Sequence, residues 1–340
     1  MPTNTRVNID GFRSWFNDTK YVLLDRIEDR LTDKIYDLFG EIDDGSKSDT
    51  ISVTGRDDSG FAKAKAPGAK IDRQAPVEED QLSKGFVSFG KNRVIEYESV
   101  VHDQYQFATD GPEDLVDNVL DSASLLLHHQ LFNFSTATSV TLPSSGGTVS
   151  YGLTVPNGQA LFSNSHSGPG YSSKDNIQGT GALSNANLIA NIQHGNQNMV
   201  TSNGTSIAYQ PDALIIGNDA SMLEKALQLT RTEKVESTAN NAVNIFSGGT
   251  MDVVRLKFAP RDASGFYDTS KQYYWITADK AMMKKALCYK WASRPQAMTK
   301  FMDPENGDSY ISVIARLAVV AKRWQGMVLN NSTTQPTTSS

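Results

Sequence analysis

The stretch from Gly111 to Phe134 constrains the fold of this chain more than any other part of the sequence. Its apolar residues recur three or four positions apart and so form one stripe along a helix: Leu115, Val116, Val119, Leu120, Ala123, Leu126, Leu127 and Phe134. Asp110 and Glu113 have the spacing of a capping box, and Pro112 suits the first turn. The pattern predicts a helix over 111–134, about 35 Å long at ~1.5 Å per residue, that acts as a spine for other elements.

Residues 50–107, which precede this helix, alternate between apolar and polar side chains instead. Ile51 and Val53 begin the segment, a lysine-rich middle with prolines follows (FAKAKAPGAKIDRQAP), and the runs GFVSFG and NRVIEYES end it. We interpret the segment as a long β-hairpin, because arms of roughly 15 residues at ~3.3 Å each reach about 50 Å. That is more than a connection within a domain needs, so we expect the projection to contact something else.

The other segments mix helices and strands, which favours the α+β class. Apolar residues from Phe12 to Leu38 predict an amphipathic helix within 9–39 that ends before Gly40. We expect a helix over 184–200 capped by Ser184, and a buried strand over 211–218 that leads through Asp219 into the helix ASMLEKALQLT. Strand character is present in MDVVRLKFAP, in KQYYWITA and in two runs of DSYISVIARLAVVAKRWQGMVLN, whereas AMMKKALCYKW suits either a helix or a strand. We expect residues 331–340 to form a loose tail.

Charge and composition exclude several classes of function. A formal net charge of −6 argues against a chain that holds nucleic acid by neutralising phosphates, since that needs a basic excess. At 340 residues the chain is long enough for about two domains of ~150 residues each. Its single cysteine, Cys288, excludes an intrachain disulfide and suits a reducing cytoplasm. We find no signal peptide and no apolar run of ~18 residues, so we expect a soluble protein that does not span a membrane.

Three short patterns resemble ligand sites but lack the chemistry of those sites. Gly85–Lys91 copies the spacing of a phosphate-binding P-loop, but Asn92 lacks the hydroxyl that holds magnesium and the following RVIEYES alternates like a strand. His128 and His129 are adjacent on the helix, so their side chains diverge by ~100° and cannot bind one metal from the same face. The acidic run DPENGD at 303–308 lacks the glycine position and the closing glutamate of a calcium loop. The sequence therefore predicts neither a cofactor nor a metal.

The run GQALFSNSH at 158–166 brings Ser163, Ser165 and His166 together and raises the possibility of a nucleophilic site. A serine nucleophile on an α/β sheet requires glycines on both sides of a strained turn, whereas Phe162 and Asn164 flank Ser163. Side chains of serine, asparagine and histidine commonly hold irregular backbone together by hydrogen bonds. We therefore favour a structural loop, and keep a serine hydrolase as the competing enzyme hypothesis.

GQALFSNSH is followed some 45 residues later by PDALIIGNDASMLEKALQL, and this pair resembles the landmarks of tailed-bacteriophage major capsid proteins, in particular the Mu-like head subunits. The resemblance continues, in the same order along the chain, in KNRVIEYESVVHDQYQFA, YYWITAD and RWQGMVLN, and it covers roughly residues 50–330. The order YYW and the glycine-rich SGPGYSS depart from the usual pattern, which leaves the subfamily open.

The resemblance implies the Hong Kong 97-type capsid fold, an α+β fold with an extended β-hairpin called the E-loop. By this resemblance we expect an N-terminal arm over 1–48, the E-loop over 49–107, a peripheral domain over 108–205 and 290–330 that contains the spine helix, an axial domain over 206–289 and a flexible tail over 331–340. The loop with Ser163, Ser165 and His166 then belongs to the peripheral domain, and no catalytic role transfers to it.

The function that the resemblance implies is structural: hexamers and pentamers of the chain form the icosahedral head that encloses phage DNA. The implied partners are copies of the chain itself, a portal, a scaffolding protein and packaged double-stranded DNA held non-specifically, with no membrane. The protein would be made in the cytoplasm of a host bacterium and reside in the virion.

We expect the contacts between subunits to lie on the projection and to involve Phe61, Lys63, Lys65, Arg73, Phe86 and Phe89. The projection also carries Lys70 and Lys84, and four of its lysines (63, 65, 70 and 84) raise the possibility of an isopeptide cross-link, as in the founding member of the fold. Non-covalent packing is favoured, because solvated lysines on a projection also prevent unwanted strand pairing. The same fold would also suit an encapsulin-type compartment that holds protein cargo.

Overall fold

The computed structural model describes residues 33–43, 49–57, 77–96, 112–232, 244–300 and 308–337. The predictions for residues 1–32, for Asp110 and for Phe61, Lys63, Lys65, Lys70 and Arg73 lie outside these ranges. In the described part, the α-helices are α1 (Lys34–Leu38), α2 (Pro112–His128), α3 (Asn185–Asn198), α4 (Ala220–Arg231) and α5 (Lys280–Ala286).

Fifteen strands are present in the described part of the chain. They are β1 (Gly40–Glu41), β2 (Thr50–Asp57), β3 (Val77–Gly85), β4 (Val87–Ile95), β5 (Ser139–Ser144), β6 (Gly147–Gly152), β7 (His166–Gly168), β8 (Tyr171–Lys174), β9 (Ile177–Gly179), β10 (Ala213–Ile216), β11 (Asp252–Arg255), β12 (Trp275–Ala278), β13 (Leu287–Lys300), β14 (Ser309–Ala321) and β15 (Met327–Asn330). They form a four-stranded sheet, a five-stranded sheet and three two-stranded sheets.

The long helix expected from the apolar stripe is present as α2, which continues into a π-helical turn at His129–Asn133. Val116, Ala123 and Leu127 of the stripe have no exposed surface. The turn ends where the Phe134 N–H donates to the His129 carbonyl at 3.0 Å. A π turn is one residue wider than an α turn, and apolar spacing does not reveal it.

The four-stranded sheet has the order β1-β13-β14-β4 and packs one face on α2. Alternate residues of β14 meet the helix, so that Ile311, Val313 and Ala315 are fully buried in one cluster with Val119. Strand β4 pairs with β14 in antiparallel register from Val87 opposite Leu317 onwards. The range 49–107, expected to be the E-loop, thus contains a strand of the four-stranded sheet. Apolar and polar residues alternate along this strand because one of its faces is buried, and from sequence alone the same alternation fits an arm of a hairpin.

Strands β2 and β3 form a hairpin in antiparallel register, from Thr50 opposite Gly85 to Asp57 opposite Val77. The base of the hairpin packs on the sheet face opposite to α2. There Ile51 and Val53 join one apolar cluster with Ala318 and Val320. The hairpin therefore begins as a second layer on the four-stranded sheet.

The five-stranded sheet has the order β11-β10-β12-β15-β9, and β10, β12 and β15 are buried at every residue. Helices α3 and α4 pack on it through Leu188, Met222 and Ala226, which share a cluster with Trp275. Strand β15 lies at the end of the range 290–330 expected for the peripheral domain, yet it pairs with β12 of the range expected for the axial domain. The assignment of these ranges to capsid domains stays a prediction.

Near the C-terminal end, the structure decides one segment that the sequence left open and describes part of the tail that was expected to be loose. AMMKKALCYKW is a helix followed by a strand: Asp279 caps α5 by accepting from the Met282 N–H at 3.0 Å, and β13 begins at Leu287. Residues 331–337 of the expected loose tail are described, and Ser332 and Pro336 are buried. This part of the tail therefore packs against the fold.

Candidate assembly surfaces and the serine–histidine loop

The loop after Phe162 is anchored on its N-terminal side by buried apolar residues. Leu161 has no exposed surface, and the Phe162 N–H donates to the Ser135 carbonyl at 2.9 Å. The Ser163 N–H donates to the side-chain oxygen of Asn176 at 3.0 Å. Asn176, itself fully buried, thereby holds the loop from across the β7–β8 hairpin.

His166 is fully buried, and both of its ring nitrogens have asparagine partners. Nε2 donates to Asn176 Oδ1 at 3.1 Å, and Nδ1 accepts from Asn157 Nδ2 at 3.3 Å. The ring stacks on Trp324, with centroids 4.4 Å apart and planes 2° apart. Burial outweighs these hydrogen bonds and lowers the pKa of His166 to about 4, so the ring is neutral at pH 7.

The two serines form hydrogen bonds that do not involve the histidine. Ser163 Oγ accepts from the Ser165 N–H at 3.2 Å and lies 3.5 Å from Ser165 Oγ. A nucleophilic serine requires a base within hydrogen-bond reach, and the ring nitrogens of His166 are already committed. The geometry is that of the structural loop favoured from the sequence. Asn176 also links the loop to the segment after β14, since its Nδ2 donates to the Leu161 and Trp324 carbonyls at 3.0 and 3.4 Å.

The adjacent histidines of the spine have separate structural roles. His128 Nε2 lies 3.6 Å from a carboxylate oxygen of Asp33, which caps α1, and burial lowers the pKa of His128 despite that neighbour. His129 Nδ1 lies 3.1 Å from Asn133 Nδ2, and burial lowers its pKa to about 3. No group of three or more His, Cys, Asp or Glu suited to a metal occurs among the described residues.

The remaining patterns from the sequence also occupy structural positions. Gly85–Lys91 runs from the end of β3 into β4, so no helix N-terminus follows the glycines to bind phosphate. Cys288 is buried in the cluster under the hairpin, and burial raises the pKa of its thiol. No helix in the described part of the chain is both long and apolar enough to cross a bilayer.

Of the six residues expected to contact neighbouring subunits, Phe86 and Phe89 are described. Phe86 is half-buried against the cluster under the hairpin, and Phe89 is half-buried between α2 and the main core. Both rings thus have partners within the chain, and the contacts predicted for them with a neighbour stay a prediction.

One exposed apolar patch lies on the four-stranded sheet, on the face away from α2. Val94, Met298 and Ile314 are 47%, 49% and 36% exposed. The register places Val94 opposite Tyr310, and Met298 opposite Ser312 between Tyr310 and Ile314. The hairpin covers the other half of this face at Ala318, so the patch continues a surface that is already used for packing.

A second exposed patch lies at the tip of the loop formed by residues 260–268. Phe266 is 72% exposed and Tyr267 is 50% exposed. The loop is nevertheless well hydrogen-bonded, because Asp262 Oδ1 accepts from the backbone N–H groups of Ser264 and Phe266 at 2.9 Å each. Gly265 provides the positive φ, +86°, that the tip requires. Exposed aromatic side chains are typical of contact surfaces.

Solved structures of chains from phage capsids have a fold similar to that of this chain. A chain from the mature capsid of bacteriophage PhiM1 superimposes with a TM-score of 0.50 over 89% of this chain and 87% of that chain, at 14% identity. The chain has the fold of a phage capsid protein. The α+β class and the resemblance to capsid proteins are thus confirmed at the level of the fold, which is consistent with the Hong Kong 97 type.

Two further structures are similar to lesser degrees. A chain from Mycobacterium phage Adephagia aligns with a TM-score of 0.49 at 10% identity, over 90% of this chain and 91% of that chain. A chain from a virus-like particle of Pyrococcus furiosus aligns with a TM-score of 0.45 at 13% identity, over 93% of this chain and 99% of that chain. No protein-family profile matches the sequence, and no curated protein sequence matches it.

Proposed function

We propose that the chain is a structural major capsid protein that assembles into hexamers and pentamers of an icosahedral head around phage DNA. The observation that carries the proposal is the shared fold with the PhiM1 capsid chain over almost nine-tenths of both chains. The β2–β3 hairpin supports it, since its two strands pair over Thr50–Asp57 and Val77–Gly85 and a hairpin of this kind can contact a neighbouring subunit.

The positions of the exposed patches also support assembly from identical copies. The Val94–Met298–Ile314 patch lies on the four-stranded sheet, and the Phe266–Tyr267 tip lies on a separate loop that follows β11. Two different patches on one subunit suit heterologous contacts, in which each copy binds the next through unlike surfaces and the ring closes. Further partners follow from the same function: a portal, a scaffolding protein and DNA held without sequence readout, all within the virion.

The experiment that tests the function is electron microscopy of the purified chain, expressed alone and with its neighbouring genes. We expect closed shells of uniform diameter. A chain that remains monomeric at high concentration under all these conditions would contradict the proposal. Shells that contain a cargo enzyme instead of DNA would favour a protein compartment.

The role of the hairpin is tested by replacing residues 58–76 with a two-residue turn. Asp57 and Val77 are cross-strand partners, so a short turn can join β2 to β3 without disturbing the base. We expect a folded subunit with an unchanged circular dichroism spectrum that forms no shells. Normal shells from this variant would refute the assembly role of the predicted contacts at Phe61, Lys63, Lys65 and Arg73.

The loop tip is tested by Phe266→Ser, with Ser264→Ala as the matched control in the same loop. Phe266 is largely exposed in the subunit, so its loss leaves the stability of the subunit unchanged within ~0.5 kcal/mol. We expect the Phe266→Ser variant to assemble at least tenfold more weakly, because aromatic anchors contribute ~2 kcal/mol or more to an interface. Equal assembly of the two variants would exclude the tip from the contacts.

A further inference from the structure

Lys84, near the end of β3, is a lysine in an unusual position for a surface hairpin. Its side chain is 7% exposed, and its Nζ is buried without a hydrogen-bond partner in the described part of the chain. Lys91 on the adjacent strand β4 is exposed, as lysines normally are. A buried amine without a partner is stable only in its neutral form, since charging it requires water or a counterion.

The surroundings of Lys84 are largely apolar. On the same face of the hairpin, Leu82 and Phe86 pack on the cluster beneath β2 and β3, and Ile51 is the cross-strand partner of Lys84. The Lys84 Nζ lies 5.9 Å from the ring centroid of Tyr151. The Tyr151 hydroxyl bonds to the backbone of Val319, donating to its carbonyl at 2.7 Å and accepting from its N–H at 2.8 Å, and it makes no hydrogen bond with Lys84.

The titratable groups on the elements around Lys84 do not neutralise its charge. Strand β13 contributes the Cys288 thiol and Lys290, and β14 contributes Arg316, which lies 3.7 Å from the carboxylate of Asp49 just before β2. The thiol is buried and its pKa is raised, so it stays neutral near pH 7. Burial lowers the pKa of Lys84 to about 7, and none of the described carboxylates counteracts it.

We propose that Lys84 makes the seating of the hairpin on the four-stranded sheet depend on pH. The base of the hairpin stays packed while the amine is neutral, and it separates from the sheet when the amine takes up a proton and requires water. This motion is feasible because, among the described residues, the apolar contacts of the hairpin with the sheet lie in one small cluster, to which β2 contributes Ile51 and Val53. The switch is a property of the single chain and goes beyond the proposed shell function.

The expected size of the effect follows from the two states of the lysine. An exposed lysine has a pKa near 10.4, and the buried one has a pKa of about 7, so protons favour the open state throughout that interval. The equilibrium constant for opening then increases about 50-fold when the pH falls from 9.0 to 7.0, and it levels off below pH ~6.

Hydrogen exchange of the full chain tests the proposal, with protection factors measured for the amides of β2 and β3 between pH 7.0 and 9.0. In the wild type we expect a loss of protection of about 50-fold towards pH 7.0, with no comparable change in α2. Lys84→Met fills the same space without a charge, so its hairpin should stay protected at both pH values. Lys91→Met, the matched control at an exposed lysine, should retain the dependence of the wild type.

Either of two results would overturn the proposal: protection in the wild type that does not change with pH, or a Lys84→Met variant that keeps the 50-fold dependence. All variants are compared in the same assembly state, confirmed by sedimentation. The outcome is therefore independent of whether the chain forms shells, and a failure of the shell experiments leaves it unaffected.

Discussion

Acid should destabilise this protein through His166, and the structure gives the size of the effect. The ring is neutral and fully buried, and its pKa is lowered to about 4, whereas histidine in an unfolded chain has a pKa near 6.5. Below pH 6.5 the unfolded chain therefore binds a proton that the folded chain excludes. The contribution of His166 to stability is fully present above pH 6.5 and falls as the pH decreases to about 4, where the folded protein also takes up the proton.

The magnitude follows from the interval of about 2.5 pH units. At 1.36 kcal/mol per unit, His166 alone removes about 3 kcal/mol of the free energy of unfolding between pH 7 and pH 4. His128 and His129 act in the same direction, because burial lowers the pKa of each. The contribution of His166 must therefore be measured as a difference between two proteins.

The variant for this comparison is His166→Gln, which retains a donor towards Asn176 but has no group that titrates in this range. Urea unfolding, followed by circular dichroism at several pH values from 7 to 4, gives the free energy of unfolding of each protein. The variant loses the stacking on Trp324 and is less stable at pH 7, but the gap should narrow by about 3 kcal/mol towards pH 4. If the free energies of unfolding of the two proteins differed by the same amount at every pH from 7 to 4, the buried neutral state of His166 would be refuted.

Three further tests, two of them with a control variant, probe the packing and capping of the subunit. Leu127→Ala, at a fully buried position of the spine, should lower the free energy of unfolding by ~2–5 kcal/mol in urea titrations, whereas Val94→Ala at an exposed position should change it by less than ~0.5 kcal/mol. Gly195→Ala should lower the melting temperature although alanine favours helices, because its Cβ would lie 2.3 Å from the Tyr209 ring; an increase would show that the ring moves freely. Asp33→Ala should cost ~1–2 kcal/mol by removing the cap of α1, and an Asp33→Asn variant that loses as much would contradict a capping role.

Several elements were predictable because their signals are local. The spine was visible in its apolar stripe, and the caps at Ser184 and Asp219 are present, each side-chain oxygen accepting from the backbone N–H three residues further on. We disfavoured Ser163 and Ser165 as nucleophiles because neither serine has a glycine on both sides, as a nucleophile elbow requires. In each case the physical cause lies within a few residues of the feature, so sequence spacing contains it.

Other features depend on pairing between distant segments, which spacing does not encode. The alternation from Val87 to Ile95 was interpreted as part of the projection, but the choice between a free arm and a sheet strand depends on β14, more than 200 residues away. Strand β15 is likewise part of the five-stranded sheet because it pairs with β12, about 50 residues earlier in the chain. The exposure of Val94 and Met298 depends on which sheet face α2 covers.

The sequence by itself determined the positions of α2, α3 and α4 and the α+β class, because side-chain periodicity and cap chemistry act over one or two turns. Only the tertiary structure decided that His166 is a neutral buried ring between two asparagines and that the Lys84 amine is buried with no hydrogen bond to any described residue. Both states are set by desolvation. Whether water reaches a side chain depends on segments that come together only in the folded chain.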